Sequence, residues 1–165
     1  ATELYKQTIE TLGKNGLEIY EISNFAKKDQ ESRHNLAYWT YKDYAGVGPG
    51  AHGRLTLEGG TKVATKQFKA PETWLSHVQN SQGTEESVVL SKAEQVTEQL
   101  MMGLRLFQPF DLAQLPLPWQ QALDVEKLDI LVRQGLAERQ DKFMHLTLES
   151  RLCLNEVLRY LIITK

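Results

Sequence analysis

A single helix-then-strand unit at the start of the chain constrains the fold most. Residues 2–12 (TELYKQTIETL) place four apolar side chains on one helical face. The residues GKNG end this pattern, and the β-rich segment LEIYEI (17–22) predicts a strand buried over much of its surface. No second such unit follows, and a parallel strand with so few partners is not stable alone. We therefore expect the chain to be a fragment that completes a larger sheet.

The composition excludes several classes of protein. The chain has 165 residues, 24% of them charged, with a formal net charge of −2, so nothing favours nucleic acid or an anionic membrane. No apolar run reaches the roughly 20 residues that span a bilayer. One cysteine, Cys153, excludes a multi-thiolate metal site made by this chain alone, and its apolar surroundings predict a buried thiol. We expect a cytoplasmic protein with no transmembrane segment and no nucleic-acid partner.

The second half of the chain predicts a different organisation. The polar segment SQGTEES (81–87) indicates a boundary between domains at 1–85 and 86–165. After it, Ser91 and Glu94 form a capping box that opens a helix. A short turn at 110–115 precedes a third helix over 119–134, a hairpin over 136–148 and a final helix over about 151–163. This order of elements predicts a winged-helix-like domain, and the chain as a whole is expected to be of the α+β class.

Winged helices often bind DNA, and the third helix is where a recognition helix would lie. Its polar side chains comprise three acids and two bases, which leave no positive surface for phosphate: Asp124, Glu126, Lys127, Asp129 and Arg133. A regulatory or docking module without chemistry remains one alternative for the chain.

The segment SRHNLAYWTYKDYAGVGPGAHG (32–53) combines aromatic rings with glycines. It precedes a predicted β-hairpin, RLTLEGGTKVATK (54–66), so GPGAHG does not open a helix as a dinucleotide-binding loop would. One interpretation is a turn at a strand end, which explains Gly46, Gly48 and Gly50 by backbone geometry alone. The other is a ligand lying against the bare backbone of Gly48 and Gly50, with His52 as a hydrogen-bond donor or proton carrier.

Within this segment, HNLAYW (34–39) suggests a second kind of site. A histidine with a free ring nitrogen is a natural axial ligand of haem iron, which makes His34 a candidate. Asn35 would orient that ring or contact a propionate, and Tyr38 or Trp39 would stack on the macrocycle. The alternative is a histidine satisfied by neighbouring backbone, with both aromatic rings in the core.

Several stretches resemble a known family. YEISNFA (20–26), SRHN (32–35) and DYAGVGPGAH (43–52) are similar to the second half of HemW-type proteins. These are radical S-adenosylmethionine proteins close to oxygen-independent coproporphyrinogen III oxidase. The tail, with LMMGLRL, LVRQGL and LTLESRLCLNEV, resembles the C-terminal HemN_C domain of the family. The resemblance covers nearly the whole chain.

The resemblance implies a fold and a set of cofactors. Residues 1–85 would be the terminal αβ portion of a radical SAM partial barrel, and residues 86–165 a winged-helix-like HemN_C domain. Members carry C-x-x-x-C-x-x-C upstream for a [4Fe–4S] cluster. This chain lacks that motif, so it should not ligate the cluster or cleave S-adenosylmethionine, and it should be inactive without the missing N-terminal half.

The resemblance also implies a function. HemW-type members look like haem chaperones that deliver haem to acceptor proteins, and their H-N-x-x-Y pattern is intact here as His34, Asn35 and Tyr38. It implies that these residues contact haem, with His34 on the iron. Gly48, Gly50 and His52 carry over as residues that face the cofactor or porphyrin.

The chain departs from the family pattern at Gly53, where members usually have serine, and LTLES replaces LTPEG near the end. The alternative function within the same family is that of a coproporphyrinogen III oxidase, which decarboxylates coproporphyrinogen III to protoporphyrinogen IX.

Overall fold

The structure, a computed structural model, describes residues 2–163 and divides into two compact units. The first unit runs up to Tyr41 and resumes at Val96, and the second spans Lys42–Gln95. The fold is mixed α/β, and all five strand pairs in the described part are antiparallel. The helices are α1 (Thr2–Lys14), α2 (Arg33–Trp39), α3 (Pro71–Gln79), α4 (Lys92–Gly103), α5 (Trp119–Ala122), α6 (Val125–Arg133), α7 (Leu148–Leu152) and α8 (Leu154–Leu161). The strands are β1 (Glu18–Glu21), β2 (Asn24–Ala26), β3 (His52–Thr56), β4 (Lys62–Gln67), β5 (Thr84–Val89), β6 (Phe110–Asp111), β7 (Ala137–Gln140) and β8 (Phe143–Leu146).

The hydrophobic core lies in the first unit. One face of each of the helices α4, α6 and α8 contributes to it, because apolar side chains recur there at helical spacing. Strand β8 contributes its inward-facing residues, because apolar side chains alternate along the strand. The side chains of Leu100, Leu128 and Leu161 are fully buried, as are those of Met144 and Leu146. Burial of each such side chain contributes about 1.5–3 kcal/mol, so this cluster stabilises the unit.

A three-stranded sheet packs into this core, with strand order β6-β8-β7. The predicted hairpin is confirmed as β7 and β8, and β6 adds a third strand that the sequence did not reveal. The predicted third helix is divided into α5 and α6, because the Asp124 side chain accepts a hydrogen bond from the Lys127 amide and starts a new helix. The winged-helix description stays a prediction.

The start of the first unit differs from the expected parallel strand. β1 pairs antiparallel with β2, and only Glu21 of β1 is buried. Glu21 accepts hydrogen bonds from the Ser23 amide and from the Asn24 side chain, so its carboxylate organises the turn between the two strands. The assignment of this region to a partial barrel stays a prediction.

The second unit is a three-stranded antiparallel sheet, order β3-β4-β5, with helix α3. The predicted hairpin is confirmed: β3 pairs with β4 around a turn at Glu58–Gly60, where Gly59 and Gly60 have positive φ. The capping box is also confirmed, since the Ser91 amide donates to Glu94 at 2.8 Å and the Glu94 amide donates to Ser91 at 3.2 Å. The segment 81–87, which indicated a domain boundary, lies within this unit, and the division at 85/86 stays a prediction.

Across residues 2–163, none of the helices has the length and apolarity required to cross a membrane.

Candidate functional site

The H-N-x-x-Y residues lie on helix α2, which the sequence analysis did not predict. Ser32 starts the helix as its N-cap, because its hydroxyl oxygen accepts a hydrogen bond from the Asn35 amide at 3.3 Å. The preference of serine for the N-cap position was the available signal for this helix. The helix places residues four positions apart on the same face, so His34 and Tyr38 meet.

The His34 ring is exposed at the start of this face. Its centroid lies 4.6 Å from that of Tyr38, and the two ring planes are at 85°, an edge-to-face contact. Among residues 2–163 the imidazole has no hydrogen-bond partner, so the ring nitrogens stay accessible to an added ligand. Tyr38 therefore holds the imidazole ring by packing against it and leaves the ring nitrogens able to bind a ligand.

Asn35 connects α2 to strand β1. Its side-chain nitrogen, Nδ2, donates a hydrogen bond to the hydroxyl of Tyr20 at 3.2 Å, and both residues are half-buried. Tyr20 is itself held, since its carbonyl accepts a hydrogen bond from the Phe107 amide at 3.0 Å. Asn35 thus fixes the position of the helix that carries His34. The sequence had suggested no role for Tyr20, and no short-range pattern signals this contact.

Trp39 ends the helix and is half-buried. The guanidinium carbon of Arg105 lies 5.2 Å from its ring centroid, within range of a cation–π contact. This arrangement leaves Tyr38, rather than Trp39, as the aromatic neighbour of His34.

Three glycines of the second unit allow backbone conformations or close contacts that a side chain would prevent. A Cβ atom added at Gly46 would lie 2.5 Å from the carbonyl oxygen of His52, so only glycine permits this approach. Gly48 and Gly50 have φ values of 106° and 70°, in the region that favours glycine. The Gly50 amide donates to the Phe68 carbonyl at 2.8 Å, which secures the turn to the end of β4. These contacts explain the glycines by geometry, and a role in facing a ligand stays a prediction.

His52 is exposed on strand β3, where it is paired with Lys66. The following residue, Gly53, is buried, and a Cβ there would lie 2.5 Å from the Thr65 hydroxyl oxygen and 2.9 Å from the Gly46 amide nitrogen. A serine at this position would therefore require both neighbours to move.

The predicted residues fall into two groups. His34, Asn35 and Tyr38 lie together on one helix of the first unit, whereas Gly48, Gly50 and His52 belong to the second unit. Of the two groups, the one on helix α2 contains predicted side chains in contact with each other, those of His34 and Tyr38.

The chain does not fit an iron–sulfur cluster. The radical SAM motif uses three thiolates, whereas this chain has a single cysteine, Cys153, and its described part gathers no group of three or more His, Cys, Asp or Glu side chains. Cys153 is exposed, so the prediction of a buried thiol was wrong. The reason is that α7 ends and α8 begins at this residue, which interrupts the helical periodicity on which the prediction depended.

Comparison with known proteins gives consistent matches. Residues 90–153 match the family described as the HemN C-terminal domain. Over 171 residues the chain is 30% identical to the heme chaperone HemW of Bacillus subtilis, a match that covers 94% of this chain and 41% of the relative. It is 39% identical over 107 residues to radical S-adenosyl methionine domain-containing protein 1, mitochondrial, of Danio rerio, covering 62% of this chain and 24% of that protein.

The fold also matches a solved structure. Coproporphyrinogen III oxidase (HemN) from Escherichia coli superposes with a TM-score of 0.66 over 94% of this chain and 39% of that protein, at 16% identity. The chain thus spans well under half the length of each of these relatives. The chain is therefore a HemW-like C-terminal part, with a HemN C-terminal domain at residues 90–153.

Proposed function

We propose that this chain forms part of a haem-binding protein that delivers haem to acceptor proteins, and that helix α2 carries the haem contact. The observation that supports this most is the exposed His34 ring, free of hydrogen bonds among the described residues and braced edge-on by Tyr38. A neutral imidazole nitrogen is a natural ligand of haem iron. The name of the Bacillus subtilis relative, a heme chaperone, agrees with this proposal.

An exposed ligand suits delivery better than storage. Haem on the His34 face would keep much of its macrocycle in contact with solvent, so less apolar area would be buried than in an enclosed pocket. Less buried area means weaker retention, and an acceptor with an enclosed site would then take the haem. The exposed Arg33 beside His34 offers a positive charge to a propionate.

The remaining features of the whole protein are part of the same proposal. The [4Fe–4S] cluster and S-adenosylmethionine would be held by the N-terminal half that this chain lacks, and residues 1–85 and 86–165 would be the end of a partial barrel and a winged-helix-like domain. In that arrangement Gly48, Gly50 and His52 would face the cofactor or porphyrin. We place the protein in the cytoplasm, although the Danio rerio relative carries "mitochondrial" in its name.

A second candidate function is that of coproporphyrinogen III oxidase. The fold match to the Escherichia coli oxidase favours it, since that protein is named for this activity. The two functions require the protein to recognise different parts of the tetrapyrrole. A haem carrier would recognise the iron, whereas the oxidase would recognise the carboxylate-bearing rim of an iron-free tetrapyrrole.

Parallel titrations with ferric haem, protoporphyrin IX and coproporphyrin III would separate them. Protoporphyrin IX is the matched control for haem, because it has the same propionates and lacks iron. The haem carrier predicts haem affinity at least about tenfold higher than that of either iron-free porphyrin. Preference for coproporphyrin III would favour the oxidase, and equal affinity for all three would contradict a role for an iron ligand.

A further inference from the structure

A pocket of the first unit is lined by two arginines. It has a volume of about 420 Å³ and lies where α7 meets α8. Its walls include Arg105, which follows α4, and Arg151 of α7, together with Cys153, Asn155 and Glu156. None of these residues lies on helix α2.

Neither arginine has a carboxylate partner in the described part of the chain. Arg151 is buried, with 3% of its surface exposed, and its Nε and Nη1 donate to backbone carbonyls of Leu104, Leu106 and Leu146. Those acceptors are neutral, so they satisfy hydrogen bonds without cancelling the charge. Burial lowers the pKa of Arg151 to about 10, which still leaves the guanidinium charged at neutral pH.

The Nη2 atom of Arg151 remains available. It donates to no residue within 2–163, and the guanidinium carbon lies 4.5 Å from the centroid of the Phe107 ring, a contact that leaves the edge of the group able to donate. Arg105 is half-buried, and the contact that the structure gives it is the ring face of Trp39. A guanidinium over a ring keeps its charge and the N–H groups at its edge, so both arginines can still donate to an anion.

The start of α8 adds further donors to the same pocket. The Cys153 side chain does not cap the helix, and the Leu154 and Asn155 amides have no backbone acceptor in the described chain. Glu156 is the one acidic residue of the wall, and its carboxylate is paired with Arg159 at 2.7 Å. The pocket wall thus contains two arginines without carboxylate partners among the described residues, and two residues whose backbone amides are unpaired there.

We propose that this pocket binds a small oxyanion, of the carboxylate or phosphate class, between Arg105 and Arg151. Two guanidiniums supply charge-assisted hydrogen bonds, and oxygen acceptors of an anion match the donors that the pocket presents. A cation would be repelled by both arginines, and a neutral ligand would leave their charges uncompensated. The volume accommodates an anion of a few heavy atoms.

The test uses inorganic phosphate and acetate, titrated calorimetrically into the 165-residue chain at constant ionic strength with chloride as the replaced ion. We expect saturable binding that Arg105→Gln weakens at least about tenfold, since it removes one of two cations. Arg133→Gln makes the same charge change on α6, away from this pocket, and should leave affinity within about twofold. Tighter binding of phosphate or of acetate assigns the class of anion.

Cys153 gives a local readout of the same site. It is the only cysteine of the chain and lines the pocket with an exposed thiol, so iodoacetamide labels one position. Bound anion should slow its alkylation severalfold in the wild type and have no effect in Arg105→Gln. Anion binding that Arg105→Gln leaves unchanged, or alkylation that neither anion slows, would overturn the proposal, whatever the outcome of the haem titrations.

Discussion

The rings of His34 and Tyr38 meet edge to face, with centroids 4.6 Å apart and planes at 85°. Residues four positions apart on a helix are neighbours, so the H-N-x-x-Y spacing itself produces this contact once α2 forms. The pattern therefore packs an aromatic ring against a histidine whose ring nitrogens have no partner among the described residues. The asparagine that follows the histidine in sequence points toward β1.

The first prediction concerns that asparagine. Tyr20→Phe removes the hydrogen bond to Asn35 without altering the H-N-x-x-Y residues, so it tests whether the anchoring of α2 matters. We expect Tyr20→Phe and Asn35→Ala each to lower haem affinity by about three- to fivefold, the free energy of one hydrogen bond. The measurement is a haem titration of both single variants and the double variant.

The two substitutions should be non-additive, because they remove the same bond from either side. Additive losses would show that Asn35 acts on haem directly, for example through a propionate, and not by positioning the helix.

A second prediction concerns Arg151, which links the end of α4 to the end of β8 through three backbone carbonyls. Arg151→Met would leave those buried carbonyls without donors, so we expect it to lower the free energy of unfolding by about 3 kcal/mol. Arg159→Met, on exposed α8 surface, is the control and should change it by less than about 0.5 kcal/mol. Urea unfolding measures both, and equal losses would contradict the linking role.

Parts of this architecture could be predicted from sequence because local rules decide them. Gly59 and Gly60 indicated the turn of the β3–β4 hairpin, and Ser91 with Glu94 indicated the start of α4. Both depend on residues within a few positions of one another, where the backbone requires a particular conformation or a cap.

Other features depend on contacts distant in sequence. Strand β6 has two residues and forms because Phe110 pairs with Met144, a partner that no local pattern identifies. Tyr20 holds Asn35 across 15 positions. The break at Cys153 shifted the phase of the last helix, so a thiol assigned to the apolar face is exposed. For the site, the sequence identified the residues on α2, and only the structure identified what positions them.

The third prediction is a dependence of stability on pH in the second unit. Asp43 accepts hydrogen bonds from the Lys62 ammonium at 2.6 Å and from Thr56, and the ammonium is the main cause of a lowered Asp43 pKa. A carboxyl whose pKa is lower in the folded state contributes stability above its unfolded pKa, and the contribution is lost as the pH falls through the folded value. The acid limb of the stability curve should therefore depend on Asp43.

Asp43→Asn tests this dependence, because it keeps the size of the side chain and removes its charge. We expect a loss of about 1–2 kcal/mol at neutral pH, since Lys62 is buried, and a smaller difference from the wild type near pH 3. Urea unfolding at the two pH values measures it. If wild type and Asp43→Asn differ in free energy of unfolding by the same amount at both pH values, the ion pair does not contribute to stability.

The fourth prediction separates the two interpretations of the glycine-rich segment at Gly46. Gly46→Ala would place a methyl group 2.5 Å from the His52 carbonyl oxygen, and backbone there cannot move without disturbing β3. We expect a destabilisation of about 1–3 kcal/mol, measured by thermal unfolding.

Gly13→Ala is the matched control for Gly46→Ala. It lies in α1 with nothing within 4 Å of the added atom, so it should be neutral or stabilise by up to about 1 kcal/mol. A neutral Gly46→Ala would mean that the close approach is not required by the fold.

A haem titration of the wild type, His34→Ala and His52→Ala, followed by Soret absorbance, tests directly whether helix α2 binds haem. We expect saturable binding that His34→Ala weakens at least tenfold, about 1.4 kcal/mol, through loss of the iron ligand. His52→Ala, on the exposed face of β3, should have a smaller effect. Equal affinity of the wild type and His34→Ala would contradict the assignment of haem to helix α2.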